Sequence, residues 1–274
     1  MGKFDGVLIC TDLDGTILRS DRTVSRENLD AIEYFKSEGG YFTFITGRMP
    51  YYASNIAQML KPNAPFGCIN GGGLYDYTAK KYIWTQNMPE GVSSLIREIH
   101  EKLQEVGIQV CGFFRTYFSK ENSVTDTFRR ATGVPKIIKA YDEIDEPIAK
   151  ILFCTDSEDE IREVERILRA HPDAERFNFV RSERTLFEIL PGGISKGVSI
   201  SRLAEHLNID IRKTVAIGDY NNDIPMFSTA GVGVAVANAC EDAKAAADYI
   251  TVSNEQHAIA RVIYDIADGK IELG

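Results

Sequence analysis

Rhythm constrains this chain most: at both ends, short continuous apolar runs alternate with amphipathic segments. Residues 7–11 (Val-Leu-Ile-Cys-Thr) are the unbroken apolar run of a strand buried on both faces. Ser25 is placed to cap a helix with Leu29, Ile32 and Phe35 on its apolar side and Gly39-Gly40 as its stop. Strand 41–45, helix 50–60 and strand 66–69 follow. The C-terminal part repeats the pattern with helix 198–207, strand 214–217, helix 223–228, strand 232–236 and a closing helix 255–267. Strands that alternate with helices at this spacing predict βαβ units, and therefore a doubly wound parallel sheet.

The middle of the chain is α/β of another kind. It reads as a long helix over 89–106 stopped by Gly107, a strand over 108–114 and a helix over 123–132. Residues 133–147 are poorly patterned. A strand at 151–154 precedes a helix opened by Asp156 or Ser157, whose acidic first turn (Glu158, Asp159, Glu160) suits the positive end of the helix dipole. Residues 177–180 and 186–190 read as a hairpin around Arg184. At 274 residues the chain is long enough for two domains. The expected division is a discontinuous core, 1–85 and 191–274, interrupted by an inserted α/β domain over 86–190.

A composition of 44% hydrophobic and 26% charged residues excludes disorder. The net charge of −9 argues against a nucleic-acid partner and requires any anionic substrate to meet locally concentrated cations. The five cysteines are scattered without a C-x-x-C, so neither a disulfide framework nor a zinc site is expected. The N-terminus has no apolar signal core, and no apolar run approaches the ~20 residues of a membrane span. A cytoplasmic location away from membranes, as a monomer or small homo-oligomer, is the expectation.

Four polar clusters carry the chemistry, each at the carboxyl end of a predicted strand or the start of a helix, where α/β proteins place ligands. In Asp12-Leu13-Asp14-Gly15-Thr16, carboxylates two residues apart at a strand end share one side, and Gly15 permits a sharp turn. Thr46-Gly47-Arg48 offers a hydroxyl and exposed backbone N–H groups suited to phosphate. Ser195-Lys196-Gly197 opens a helix with a cation that opposes the dipole, a small cost that an anionic partner explains. Gly218-Asp219-Tyr220-Asn221-Asn222-Asp223 presents oxygen ligands of the kind Mg²⁺ prefers. Each cluster alone is also what a capped turn or a solvated lysine looks like. Their co-occurrence is what points to an active site.

Together, Asp12-x-Asp14-Gly15-Thr16, Thr46, Lys196 and Gly218-Asp219-x-x-Asn222-Asp223 resemble the four motifs of the haloacid dehalogenase-like (HAD) superfamily. Their order and spacing resemble its Cof-type, type-IIB phosphatases, as do Asn70-Gly71 and the stretch from Phe187 to Gly197. The resemblance implies a Rossmann-like core with an inserted α/β cap. It also implies Mg²⁺-dependent hydrolysis of a small phosphomonoester, such as a sugar phosphate, through an aspartyl-phosphate. In that scheme Asp12 is the nucleophile and Asp14 the general acid and then base. Mg²⁺ is held by Asp12, Asp219 and the Asp14 backbone carbonyl. Thr46 and Lys196 bind the phosphoryl oxygens, Gly47 and Arg48 add substrate contacts, and Asn222 and Asp223 support the metal and Lys196.

Other readings are distinguishable. A phospho-accepting receiver domain needs neither Asp14 nor a long insertion, and a dehalogenase has no use for a second carboxylic acid. A phosphomutase of the same fold differs in where the phosphoryl group ends. Gly71-Gly72-Gly73 does not meet the G-x-G-x-x-G spacing, since position 76 is Asp76. The histidines read as structural, and Trp84 as packing near the start of the insert. The cluster Phe113-Phe114-Arg115-Thr116-Tyr117-Phe118 suits either a core or a substrate face. Arg115, Tyr117, Arg181 and Arg184 are candidates for substrate selection by the cap.

Overall fold

The computed structural model describes residues 2–274. The chain starts with β1 (Leu8–Thr11), α1 (Arg26–Ser37), β2 (Tyr41–Phe44), α2 (Pro50–Leu60) and β3 (Phe66–Cys68). β4 (Gly73–Asp76) and β5 (Lys81–Thr85) complete the first stretch. Ser25 caps α1 by accepting the Asn28 N–H, and Ala31, Ile32 and Phe35 form its buried face. β3, β4 and β5 make an antiparallel ribbon, with Trp84 of β5 lying 4.9 Å from the Arg202 guanidinium.

Residues Gln86–Ile194 form a second compact unit. It contains α3 (Val92–Lys102), β6 (Gly107–Gly112), β7 (Thr116–Lys120), α4 (Ser123–Thr132), β8 (Ile148–Cys154), α5 (Glu158–Ala170), β9 (Phe177–Glu183) and β10 (Leu186–Pro191). Its sheet has the order β7-β6-β8-β10-β9 and is antiparallel throughout. Pro191 pairs with Phe177 on β9, which is why this unit runs past residue 190. One face of the sheet packs Val110, Ile151, Phe153, Phe187 and Ile189 against Leu95, Ile99, Ile161 and Val164 of α3 and α5. The helix expected over 89–106 is shorter. Gly91 enters it at φ +93°, and Leu103 is already extended, because the chain must turn into β6 at Gly107.

The aromatic cluster is resolved by β7, a strand not anticipated. Tyr117 joins the core and Phe118 is fully buried, whereas Phe114 at the hairpin tip is 73% exposed. Two of the candidate cap cations are engaged in ion pairs: Arg181 and Arg184 both reach Glu158, at 3.1 and 3.2 Å. Tyr117 donates to Glu146 at 2.5 Å. On the other side of the sheet, Lys150 and Glu188 form an ion pair at 2.9 Å, both at most 7% exposed. Burial pulls the Lys150 ammonium down, but Glu188 more than offsets it and holds it above the ordinary lysine range. Replacing one partner removes the opposite charge that lies 2.9 Å from the other in a buried setting. Glu188→Gln is therefore expected to cost about 3–5 kcal/mol in urea unfolding, and a loss under about 1 kcal/mol would mark the pair as no stronger than a surface bridge.

The chain returns to the first unit through α6 (Lys196–Leu207), β11 (Thr214–Gly218), α7 (Ile224–Thr229), β12 (Val232–Ala235), α8 (Glu241–Ala246), β13 (Tyr249–Ile250) and α9 (Ala258–Ala267). α9 starts later than the periodicity suggests because His257 sits in the left-handed region at φ +62°. β13-β12-β11-β1-β2 is a fully parallel sheet. The strands on either side of β1 follow opposite directions of winding, so β1 is the switch point at which such sheets bind ligands. Among the described residues no helix is long and apolar enough to cross a membrane. All five cysteines are free thiols, four of them buried.

Candidate active site

Register brings the polar clusters to one edge. Thr11, the last residue of β1, lies opposite Ile217 of β11 on one side and Phe44 of β2 on the other. Asp12 N–H continues the ladder to the Ile217 carbonyl at 2.8 Å, and Ile45 N–H reaches the Thr11 carbonyl at 2.9 Å. Asp12, Thr46 and Asp219 therefore all follow the carboxyl ends of neighbouring strands. Lys196, the first residue of α6, sends its ammonium to Asp12 Oδ1 at 2.6 Å and Asp223 Oδ1 at 2.5 Å. It is 2% exposed, so the solvated lysine that a helix start usually carries is not found here. Asp223 is fully buried, and its second oxygen accepts the N–H groups of Asp219 and Tyr220 at 2.9 and 3.0 Å. Thr16 donates to Asp219 Oδ1 at 2.7 Å.

Asp12, Asp219 and Asp223 bring carboxylate oxygens within 4.8 Å of one another. Burial pushes the Asp12 carboxyl up, Lys196 pulls it back, and Asp223 and Asp219 push it up again. Asp219 is pushed up to about 6, by burial first and Asp223 next, with the Thr16 hydroxyl opposing. Burial disfavours the Lys196 ammonium, yet Asp12 and Asp223 more than offset this and hold it above the ordinary lysine range. With all three carboxylates ionised against one ammonium, two negative charges would stay uncompensated in a poorly hydrated space, which is why burial and the neighbouring carboxylates together push the Asp12 and Asp219 carboxyls up. One divalent cation matches that deficit, and the all-oxygen donor set suits Mg²⁺. Asp223 has both oxygens committed to Lys196 and to backbone N–H groups, so it fits a supporting role better than direct coordination.

Two glycines are required by close approach. Gly15 sits at φ +80°, and a Cβ there would fall 2.5 Å from Asp219 Oδ2. Gly71, at φ +99°, lies under the entrance to α6, where a Cβ would be 1.9 Å from the Ser195 carbonyl oxygen. Gly71 follows Ile69 and Asn70, which hold φ of +58° and +51°. A β-branched residue in this region is strained by about 1–3 kcal/mol. Bonds from Ile69 N–H to the Arg48 carbonyl (3.1 Å) and from Asn70 N–H to the Thr46 carbonyl (3.0 Å) hold the turn in place. The turn thereby joins the Thr46-Gly47-Arg48 cluster to the backbone that carries Lys196. Sequence reasoning quoted Asn70-Gly71 as part of the family resemblance but gave the turn no part in supporting Lys196. The Asn-Gly pair directly after a strand was the available signal.

The remaining predicted residues divide. Thr46 is buried, and its hydroxyl accepts the Arg48 N–H at 3.2 Å. Asn222 donates its side-chain N–H to Asn70 Oδ1 at 3.4 Å, which ties it to the strained turn. The Asp14 side chain turns outward to Arg48, at 2.6 Å, which leaves its backbone carbonyl as the group expected to face a metal. Thr16, quoted in the motif without a role, fixes Asp219.

The model of the haloacid dehalogenase-like hydrolases matches residues 9–263. The 5-amino-6-(5-phospho-D-ribitylamino)uracil phosphatase YcsE of Bacillus subtilis is 30% identical over 261 residues, covering 93% of this chain and 94% of its own. A second phosphatase of that name from the same organism, YitU, is 25% identical over 261 residues, covering 93% and 96%. A solved haloacid dehalogenase-like hydrolase from Bacteroides thetaiotaomicron superposes with a TM-score of 0.83 at 27% identity, covering 95% of this chain and 99% of that one. With the motifs gathered at one sheet edge and the match spanning nearly the whole length, the chain belongs to the haloacid dehalogenase-like hydrolases.

Proposed function

We infer that the protein is a Mg²⁺-dependent phosphatase of a small phosphomonoester, with Asp12 as nucleophile. The observation that carries this reading is a buried carboxylate at a switch-point strand end, held at 2.6 Å by a buried ammonium and flanked by two further carboxylates. The phosphatases among its relatives support a sugar phosphate or related metabolite as the substrate class.

Asp12, Asp219 and the Asp14 carbonyl would hold Mg²⁺, which would supply the positive charge a phosphate dianion needs on approach to this acidic edge. Lys196 orients Asp12 and, with Thr46 and the backbone at Gly47, receives the phosphoryl oxygens, where charge must be stabilised in flight. An Asp12 oxygen forms a bond to phosphorus as the phosphorus–oxygen bond to the leaving group breaks. The departing oxygen keeps that electron pair and takes a proton from Asp14. Water then attacks the aspartyl-phosphate and gives a proton to Asp14, so inorganic phosphate leaves and the Asp12 carboxylate is restored.

The test is phosphate release across sugar phosphates, nucleotides, and flavin and pyridoxal phosphates, with and without excess chelator. Activity is expected with Mg²⁺, with at least a hundred-fold loss (on the order of 10²) on chelation and recovery on adding the metal back. Turnover that persists in chelator, or no hydrolysis of any ester with Mg²⁺, contradicts the reading. Stability adds a second readout. A carboxyl raised from 3.8 to about 6 keeps a proton in the folded state that the unfolded chain releases. Metal-free stability therefore falls as pH rises through that interval, and Mg²⁺ should flatten the slope.

A further inference from the structure

Asp14 and Arg48 form a two-bond fork: Arg48 Nε donates to Asp14 Oδ2 at 3.0 Å and Nη2 to Oδ1 at 2.6 Å. Each belongs to a turn of the proposed site. Asp14 follows Asp12 by two residues, and Arg48 follows Thr46 by two, with its N–H on the Thr46 hydroxyl. The side chains are 29% and 58% exposed. An ion pair that wet is weak and exchanges readily. A phosphate dianion offers the same guanidinium a matching fork with more charge. Lys196, buried between two carboxylates, has no such latitude.

We propose that Arg48 is a latch on Asp14. Without substrate the guanidinium holds the carboxylate. An arriving phosphoryl group draws the guanidinium onto its own oxygens and leaves Asp14 to take a proton from water and pass it to the leaving oxygen. The exchange makes and breaks no covalent bond, because one guanidinium fork replaces another. It rests on the reading of Asp14 as the proton donor, and it requires that Asp14 and the bound anion compete for one guanidinium.

Competition is measurable as coupling in the binding of inorganic phosphate, by calorimetry on the full chain at saturating Mg²⁺. Asp14→Asn in the Arg48 background is expected to tighten phosphate by about three-fold, the scale of an exposed ion pair. The same change in an Arg48→Met background is expected to give less than about half of that gain. An equal gain in both backgrounds means that Asp14 merely repels anions, and no gain in the first means that it does not compete. Either result overturns the latch. Both side chains reach solvent, and a urea midpoint for each variant verifies folding. The underlying reading is checked separately by comparing phenyl phosphate with 2,4-dinitrophenyl phosphate. Asp14→Asn should slow the phenyl ester at least ten-fold more (on the order of 10), because its poorer leaving group needs the proton. Equal slowing removes Asp14 as the acid, while the calorimetry still reports on the competition.

Discussion

Replacing Asp12 with asparagine is expected to lower kcat by a factor of about 10⁴ or more for any phosphomonoester the enzyme hydrolyses, the scale of removing a covalent nucleophile. The substitution keeps the side chain's shape and leaves an amide oxygen for Lys196, so the site loses its attacking oxygen but not its packing. It also removes one of three crowded carboxylates while Lys196 retains Asp223 at 2.5 Å. Urea stability of the metal-free variant should therefore equal or exceed that of the parent. A variant that is both inactive and markedly less stable would show that Asp12 holds the fold rather than the phosphoryl group. Residual kcat within ten-fold of the parent (on the order of 10) would remove Asp12 as nucleophile outright.

Lys196→Met acts in the opposite sense on stability. The ammonium is 2% exposed and bridges two carboxylates from different elements, Asp12 after β1 and Asp223 ahead of α7. Methionine fills the same volume but leaves both carboxylates buried without their cation. The expected loss is about 3–5 kcal/mol in the unfolding free energy, with a fall in kcat of about 10²–10³ from the missing charge on the phosphoryl oxygens. Adding Asp223→Asn to Lys196→Met should return part of the stability, because it removes one stranded charge, but none of the activity. That non-additivity identifies a shared network. Full additivity would mean that Lys196 and Asp223 act independently, against the geometry.

Much of this was legible in the sequence because the parallel sheet writes itself as apolar runs. α2 over Pro50–Leu60 and α4 over Ser123–Thr132 fall where periodicity places them. Three of the polar clusters were readable for the same reason: each begins where an apolar run stops, and the parallel register then aligns those stops, whereas Lys196 was legible as a cation at a helix start. What was hidden depends on tertiary pairing. β4 and β5 are short, half-exposed strands around a turn, and β7 lies within an aromatic run that suits a core as well as a surface. The 89–106 periodicity overran because Val106 continues the apolar pattern of α3 while belonging to the approach to β6. Neither could sequence show that the Asn70 turn supports Lys196 from below, nor that Asp14 faces Arg48, since both contacts bridge distant positions.

The most direct test of the central claim is to catch the phosphorylated enzyme. Mixing enzyme, Mg²⁺ and an activated aryl phosphate, quenching in acid within milliseconds and mapping the peptides by mass spectrometry should find one phosphate on Asp12, lost on treatment with hydroxylamine. If hydrolysis proceeds at full rate and Asp12 never carries phosphate at any quench time, with Asp12→Asn still turning over, water attacks the ester directly and the covalent account is wrong.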